Sequence, residues 1–492
     1  MNPDIPFTIA EIAAAIADGT TTAEAVAGDV LERCRTFAHL GAIISQDPDA
    51  LIAAARAADQ RVRANDALGP LHGVPLLIKD NIDTKDLPTS AGTPALEHDT
   101  PVHNAPVVQR LVDAGALIAG KANLYELAVG GSSYNKHFGE VRNPWDTQRM
   151  PGGSSSGPAA AVAARMVPGA LGTDTNGSVR GPCSLSGIVG LRPSFQRYPF
   201  GGVIPPTPTR DAVGTMANSV ADLALLDHVL AHQNPGDEPQ LLPPVSLAGL
   251  RLGRPRGEFY RLMDDAVARV IDAAVERMQE AGAIIVDVDL PGIVDLTAQT
   301  AWIISTFEVA REMPGYMEHR GTSLTIDELV AGIAWPTVRE RFHPGNADLA
   351  ALEPAYRKAM DEYRPQLQHI LQAYFTDHDV AAMIFPTTPF PAPELLGDTG
   401  DDIANMVVNG KLVKRGFSAV INNTVHQSAS GIPSLVVPAG LSDEGLPVGL
   451  SFDGPLGSDR QLLAIGHAFE EVRAAFPLPG KASEFFTGAS GN

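Results

Sequence analysis

Two short glycine-rich turns hold the serines in this chain best suited to chemistry. They are Gly152-Gly153-Ser154-Ser155 and Thr175-Asn176-Gly177-Ser178, and Ser154 and Ser178 stand 24 residues apart. Both lie in Pro151–Pro193, where Gly, Ser and Ala dominate and Thr173, Asp174 and Arg180 stand near the middle. A buried structural segment of that length carries more Leu, Ile and Val. Glycine lets the backbone turn tightly and approach a ligand closely. Amides freed by such turns can face a developing negative charge, and serine supplies the hydroxyl. A flexible Gly/Ser linker has a similar composition. Here, however, Pro158–Val167 (PAAAVAARMV) follows, rich in helix formers, with Pro158 suited to a first helical turn.

A hydroxyl nucleophile needs a base. In Leu71–Asp80 (LHGVPLLIKD), the apolar run Val74–Ile78 reads as a buried strand ending at Lys79. Two readings of Lys79 stand side by side. Its head snorkels to water, or it is desolvated and its pKa falls until it can act as a base. Asp80, if close, would raise that pKa again.

Other chemistries fit less well. The 13 histidines form no H-E-x-x-H and no Cys/His cluster with ligand spacing, so no metal is expected. Gly152 and Gly157 have P-loop spacing, but Pro158 follows where Lys is needed. No G-x-G-x-x-G opens a βαβ unit in this stretch. Gly153–Gly157 is a literal G-x-S-x-G, the turn of α/β-hydrolases. That turn needs a strand before it, and Arg142–Pro151 (RNPWDTQRMP) is none. It also needs a distal base, and nothing selects His426 or His467. The alternative is a serine hydrolase with lysine as base, a known variant of the triad.

These motifs resemble the amidase signature family. The matching segments are Gly73-Val74-Pro75-Leu76-Leu77-Ile78-Lys79-Asp80, Gly152-Gly153-Ser154-Ser155 and Gly172-Thr173-Asp174-Thr175-Asn176-Gly177-Ser178-Val179-Arg180. Further likenesses are Arg142–Asp146, the Pro386–Pro393 turn, Gly431-Ile432-Pro433, Val437–Gly440 and Leu446–Gly449, so most of the chain is covered. Arg197-Tyr198-Pro199 through Thr209-Arg210-Asp211, with Asp453–Arg460, looks most like the mandelamide and indoleacetamide hydrolase branch. There are departures. Asn176 replaces the usual first Gly of its turn, and Asn tolerates left-handed backbone better than most residues. Gly157-Pro158 replaces Gly-Gly or Gly-Ser, and Asn422–Ser430 departs from the usual approach to the Gly-x-Pro turn.

The resemblance implies a fold, a mechanism and a site. The fold is one α/β domain over residues 1–492, a mixed central sheet covered on both faces by helices, with the site at one edge. Within it, 1–65 is a helical layer, 66–233 the catalytic core and 245–492 the rest of the sheet. Ser178 would attack, Ser154 relay the proton and Lys79 accept it, across a cis Gly153–Ser154 peptide. Amides of Thr175, Asn176, Gly177 and Ser178 would hold the oxyanion. Gly130, Gly131, Ser132 and Tyr125 would bind substrate. Ser155 and Ser133 would orient Lys79 or substrate, while Tyr125, Phe138 and Trp302 line the pocket or pack the core. Asp174 and Arg180 would pair to hold the loop. The expected substrate is a small aryl or arylalkyl amide. Anilides, carbamates and esters are chemically close, and the amidase half of a tRNA-dependent amidotransferase is the other reading. No cofactor is implied, and the expected state is a monomer or homodimer.

The flanking elements read as an α/β alternation. Thr21–Cys34 opens on a Thr21-x-x-Glu24 capping pattern, and Ala50–Ala64 reads as a second helix. Ala105–Asn123 reads helix, Gly stop, strand, and Asn123–Asp146 is a polar loop. A helix is expected at Asn218–His232 and a linker at Asn234–Pro244. Leu250–Leu290 has a βαβ pattern, and Thr300–Phe375 is mostly helical. Strands are expected at Asp379–Pro386, Ile432–Gly440 and Gly449–Phe452, and a closing helix at Asp459–Val472. The whole chain has 492 residues, 44% hydrophobic and 19% charged, and a net charge of −21. That acidic balance argues against nucleic acid. No targeting or membrane-spanning segment is read, and two cysteines, Cys34 and Cys183, form no framework. A cytoplasmic location is expected.

Overall fold

The computed structural model describes residues 7–232, 240–342, 348–395, 397, 406–413 and 422–480. One sheet of eleven strands organises them. In chain order these are β1 Ile43–Ser45, β2 Pro75–Lys79, β3 Leu117–Ala122, β4 Gly169–Asp174, β5 Val189–Arg192, β6 Ala212–Ala217, β7 Arg251–Arg254, β8 Ile284–Asp287, β9 Ala382–Pro386, β10 Ser434–Leu441 and β11 Pro447–Asp453. Their order across the sheet is β1-β3-β2-β4-β6-β5-β10-β11-β9-β7-β8. The sheet is mixed. β2 runs parallel to both β3 and β4, β7 to β8 and β9, and the remaining pairs are antiparallel.

Successive strand residues face opposite sides. Every residue of β2, β4, β5, β9 and β11 is buried, so both faces are covered there. This explains why Val74–Ile78 reads as a continuous apolar run and not an alternation. The β7–helix–β8 unit forms as the pattern predicts, with Ile284 opposite Arg251 around Asp265–Glu280.

The front helices are α1 Ile9–Ala17, α2 Ala23–Thr36 and α3 Pro48–Arg63. Ile9, Val26 and Leu51 share one apolar core with Leu76 and Leu77 of β2. The start of α2 differs from the sequence reading. Its cap is Thr22, whose hydroxyl accepts from Ala25 N at 3.1 Å. Glu24 does not close a capping box on Thr21, because its carboxylate is taken by Arg56 at 2.9 Å. Asp59 of α3 accepts from Ala23 N at 2.7 Å instead.

The helix after the first serine turn is α4 Ser156–Ala163, shorter than Pro158–Val167. Arg165 stands at φ +57, which turns the chain toward β4. After the second serine turn comes α5 Arg180–Ser186, and Val220–Ala231 forms the expected helix before the linker. Residues 234–239 of that linker lie outside the described residues. The long α6 Ile293–Arg320 begins the helical region, and Asp459–Val472 is the closing helix. Among the described residues, no helix is long and apolar enough to cross a membrane.

Candidate active site

Parallel pairing of β2 with β4 sets Ile78 opposite Leu171. Their carboxyl ends therefore deliver Lys79 and Thr173 to one place. It lies at the strand ends, well inside the lateral edges of the sheet. Lys79 is fully buried, so it does not snorkel. Its Nζ donates to Ser154 Oγ at 2.8 Å and to Thr173 Oγ1 at 2.7 Å. Asn81 Nδ2 donates to Thr173 Oγ1 at 3.2 Å and to Ile204 O at 2.8 Å, fixing the threonine. Burial pushes the Lys79 pKa down to about 7, against the opposing pull of Asp174 and Asp211. Asp80 plays no part in that balance. Its carboxylate lies 3.3 Å from Lys121 Nζ and accepts from Ser90 N at 3.0 Å.

The Gly153–Ser154 peptide is cis, as the resemblance implies. Gly153 lies flush against the Gly131–Ser132 backbone, and a Cβ there would stand 2.1 Å from Ser132 O. Ser155 does not orient Lys79. Its hydroxyl bridges Thr173 N and Thr173 O, each at 3.3 Å, because α4 turns it toward β4. Ser155 N donates to Ser178 O at 3.3 Å, so the two serine turns are in direct contact.

The second turn is built around Asp174. Its carboxylate accepts from Gly177 N at 3.0 Å and Val179 N at 3.2 Å, and pairs with Arg180 Nη2 at 2.8 Å and Arg192 Nη1 at 3.2 Å. Burial opposes the charge, but Arg180 and Arg192 outweigh it and hold the carboxyl well below the usual range. Asp174 and Arg180 are thus the structural pair anticipated. One expectation fails here. The Gly177 N–H points at Asp174, so it is not free for an oxyanion. The N–H groups of Thr175, Asn176 and Ser178 have no partner among the described residues. Ser178 is half-buried, and its hydroxyl has no hydrogen bond among them.

Asn176 is not left-handed, so the tolerance its side chain confers is not used. Instead its Oδ1 accepts from Arg210 Nη2 at 2.5 Å, and its backbone O from Thr424 Oγ1 at 2.7 Å. Gly177 carries the positive φ, +106, with Thr424 against its Cα.

Tyr125 is buried, and Gly130 lies on its ring face, where a Cβ would stand 2.4 Å from Cζ. The Tyr125 ring is 5.6 Å from that of Trp335. Ser132 and Ser133 are buried, and their hydroxyls have no hydrogen-bond partner among the described residues. Phe138 is half-buried edge-on to His137. Trp302 is not core: it is 61% exposed, with the Arg341 guanidinium 5.6 Å above its ring. Arg341 also donates to Val129 O at 2.6 Å, beside Gly130.

The alternative bases are engaged elsewhere. His426 Nε2 lies 2.9 Å from Asp453, and His467 lies 3.9 Å from Glu470. No strand runs directly into Gly153, since Pro151–Gly152 before it is irregular. A concavity of about 400 Å³ lined by Ser194, Arg197, His232 and Arg460 contains none of the site residues. Among the described residues, no group of three His, Cys, Asp or Glu could hold a metal ion.

Sequence reasoning missed Thr173 as a partner of the lysine and Asn81 as the residue that fixes that threonine, and missed Arg210, Asp211, which accepts from Thr175 Oγ1, and Thr424 as supports of the turn. Thr173 could have been found, since it is the only hydroxyl on β4 near the level of Lys79. Nothing in the sequence ties Thr424 to Asn176, 248 residues earlier.

A mixed, helix-covered sheet defines an α/β fold, and within it the buried Lys79 meets Ser154 beside the turn that carries Ser178. The family model described as Amidase matches residues 26–463, and the chain belongs to this amidase signature family. It is a hydrolase of carbon–nitrogen amide bonds other than peptide bonds. The chain is 36% identical over 444 residues to an indoleacetamide hydrolase of Allorhizobium ampelinum, covering 90% of this chain and 93% of that protein. It is 35% identical to a mandelamide hydrolase of Pseudomonas putida, covering 97% and 93%. It is 37% identical to a glutamyl-tRNA(Gln) amidotransferase subunit of Chloroflexus aurantiacus, covering 95% and 96%. The solved peptide amidase of Stenotrophomonas maltophilia superposes with a TM-score of 0.78 at 28% identity, covering 96% and 99%.

Proposed function

We propose that this enzyme cleaves small aryl or arylalkyl amides through an acyl-enzyme formed on Ser178. The observation that carries the reading is the buried Lys79 Nζ, 2.8 Å from Ser154 Oγ with a pKa pushed down to about 7. An amine with that pKa is substantially neutral at neutral pH and can accept a proton. Ser178 Oγ attacks the carbonyl carbon, and its proton passes through Ser154 to Lys79. The amides of Thr175, Asn176 and Ser178 stabilise the oxyanion. As the intermediate collapses, the C–N bond breaks and the proton returns through Ser154 to the leaving amine. Water then releases the acid by the same relay. Contact between the two turns through Ser155 N and Ser178 O supports this order of transfer.

The aryl preference rests on the indoleacetamide and mandelamide hydrolases to which the chain is similar. In this reading substrate meets Tyr125, whose ring lies against Gly130, and the Gly131–Ser132 backbone, which lies against Gly153. Carbamates and anilides enter the same acyl-enzyme chemistry. The likeness to an amidotransferase component favours a second reading, in which the chain feeds ammonia to a partner. We take the chain as a single domain, because one sheet draws strands from residue 43 to residue 453. Buried free thiols at Cys34 and Cys183 fit a cytoplasmic location.

The test is a panel of amides, anilides, carbamates and esters with purified enzyme, beside Ser178→Ala. A serine-reactive phosphonate should label Ser178, and the variant should lose nearly all turnover while staying folded. Label on Ser155 that survives in Ser178→Ala would sink the assignment. Co-purification with a second chain needed for activity would favour the amidotransferase reading.

A further inference from the structure

Resting on the acyl-enzyme reading above, we infer that Arg210 is a positioning residue that aims the Asn176 N–H at the oxyanion. Arg210 is almost wholly buried. Its Nη2 donates to Thr175 O at 3.1 Å, to Asn176 Oδ1 at 2.5 Å and to Ser428 Oγ at 2.9 Å. Its Nη1 donates to Ala301 O and Ser305 Oγ, both at 2.5 Å, and both on α6. One guanidinium therefore joins the long helix to the nucleophile turn.

The geometry of the peptide unit gives this contact its meaning. Thr175 C=O and Asn176 N–H belong to the same planar trans peptide, so they point in opposite directions. Holding that carbonyl on Arg210 turns the N–H away from the arginine. This N–H has no partner among the described residues. The next peptide is held in its own way. Asn176 O accepts from Thr424 Oγ1, and Gly177 N donates to Asp174. Adjacent amides are thus assigned separate tasks, one internal and one left available. A cation on the carbonyl also polarises the peptide and strengthens its N–H as a donor.

The asparagine adds a second anchor. Its Oδ1 meets the same Nη2, an acceptor that glycine at this position could not supply. Arg210 is surrounded by Asp211, Arg192, Glu308 and Arg364. Burial pulls its pKa down to about 10 and Asp211 opposes the shift, so it is charged at neutral pH.

The experiment uses purified full-length Arg210→Met, Arg210→Lys and Asn176→Ala, with Ser178→Ala alongside. Steady-state kinetics on phenylacetamide are compared with inhibition by 1,1,1-trifluoro-3-phenylacetone, which forms an oxyanion on serine, and by phenylacetate, which does not. Loss of one oxyanion donor costs on the order of 10²–10³ in kcat. For Arg210→Met the expected result is a kcat lower by about 10²-fold with KM nearly unchanged. The ketone should weaken in parallel and phenylacetate should not. Arg210→Lys should recover part of kcat, because an ammonium can still reach Thr175 O. Equal weakening of ketone and acid, or an unchanged kcat, overturns the inference. If Arg210→Met does not fold, Asn176→Ala decides. It removes one acceptor only, and a kcat lower by roughly 3–10-fold is expected, part of one donor's effect. An unchanged kcat in that variant overturns the inference. Turnover retained by Ser178→Ala would remove the parent reading itself. An inactive Ser178→Ala beside an unimpaired Arg210→Met would remove only the inference.

Discussion

Lys79 and Asp80 are consecutive in the chain, yet they join separate buried networks. Lys79 Nζ reaches Ser154 and Thr173. Asp80 faces Lys121 and Ser90. Lys79 is the last residue of β2 and Asp80 the first beyond it, still bonded through its N–H to Ala122 O, and consecutive side chains there leave the backbone on opposite sides. On the proposed mechanism the separation matters, because a carboxylate directly beside Lys79 would favour its charged form. Lys121 and Ser90 occupy the Asp80 carboxylate on the other side.

The first prediction follows from the depressed Lys79 pKa. On the proposed mechanism neutral lysine is the active form, so kcat/KM should rise with pH through about 7 and level off above it. The inflection belongs to the coupled Lys79–Ser154 pair. Lys79→Arg should leave no more than about a hundredth of the activity, because arginine stays protonated. A pH–rate profile of wild type, beside the residual rate of Lys79→Arg, checks both. Retention of more than roughly a tenth of wild-type turnover would place the base elsewhere.

Gly177→Ala should abolish most turnover. The new Cβ would stand 2.1 Å from Thr424 Oγ1, at a φ of +106 that alanine rarely adopts. Displacing Thr424 frees Asn176 O and lets the turn drift. The double variant Gly177→Ala with Thr424→Ala should recover little, because the φ penalty remains. Steady-state rates of the two proteins measure this.

Asp174→Ala should destabilise the fold by about 3–5 kcal/mol, the usual effect of stranding a buried charged partner. Arg180 and Arg192 would both lose their carboxylate. Chemical denaturation monitored by circular dichroism reads the loss directly. A midpoint equal to wild type would show that the two arginines find other acceptors.

Chelators should not change the rate. The described residues hold no set of three His, Cys, Asp or Glu placed to bind a metal. Overnight dialysis against EDTA, followed by assay with and without added divalent ions, tests this. Loss of activity that a metal restores would refute it.

Local chemistry was readable in the sequence where it rested on contiguous residues. The apolar run before Lys79 is β2, and the Asp459–Val472 helix lies where its pattern placed it. The Asp174–Arg180 pair was legible because both residues sit in one turn. What depends on contacts far apart in the chain was not. Gly177 looked like an oxyanion donor until its N–H was found on Asp174. Asn176 looked like a left-handed residue, but its side chain answers to Arg210, which only the β4–β6 pairing brings near. Trp302 carried the composition of a core residue, yet it faces solvent under Arg341. Capping was misplaced by one residue because Arg56, a helix away, claims Glu24.

The Thr424 contact also has a consequence for synthesis. Ribosomes deliver the amino-terminal side first. Thr424 Oγ1 supports Asn176 O, Arg180 Nη2 donates to Thr424 O, and β5 needs β10 as its neighbour. A nascent chain can hold Lys79, Ser154 and Ser178 and still lack the wall behind the Thr175–Ser178 turn. Translation must pass the Ser434–Leu441 strand before that wall can close. Support for the Asn176–Gly177 peptide is therefore completed only by the carboxy-terminal part of the chain, and a chain that stops upstream of Thr424 lacks it.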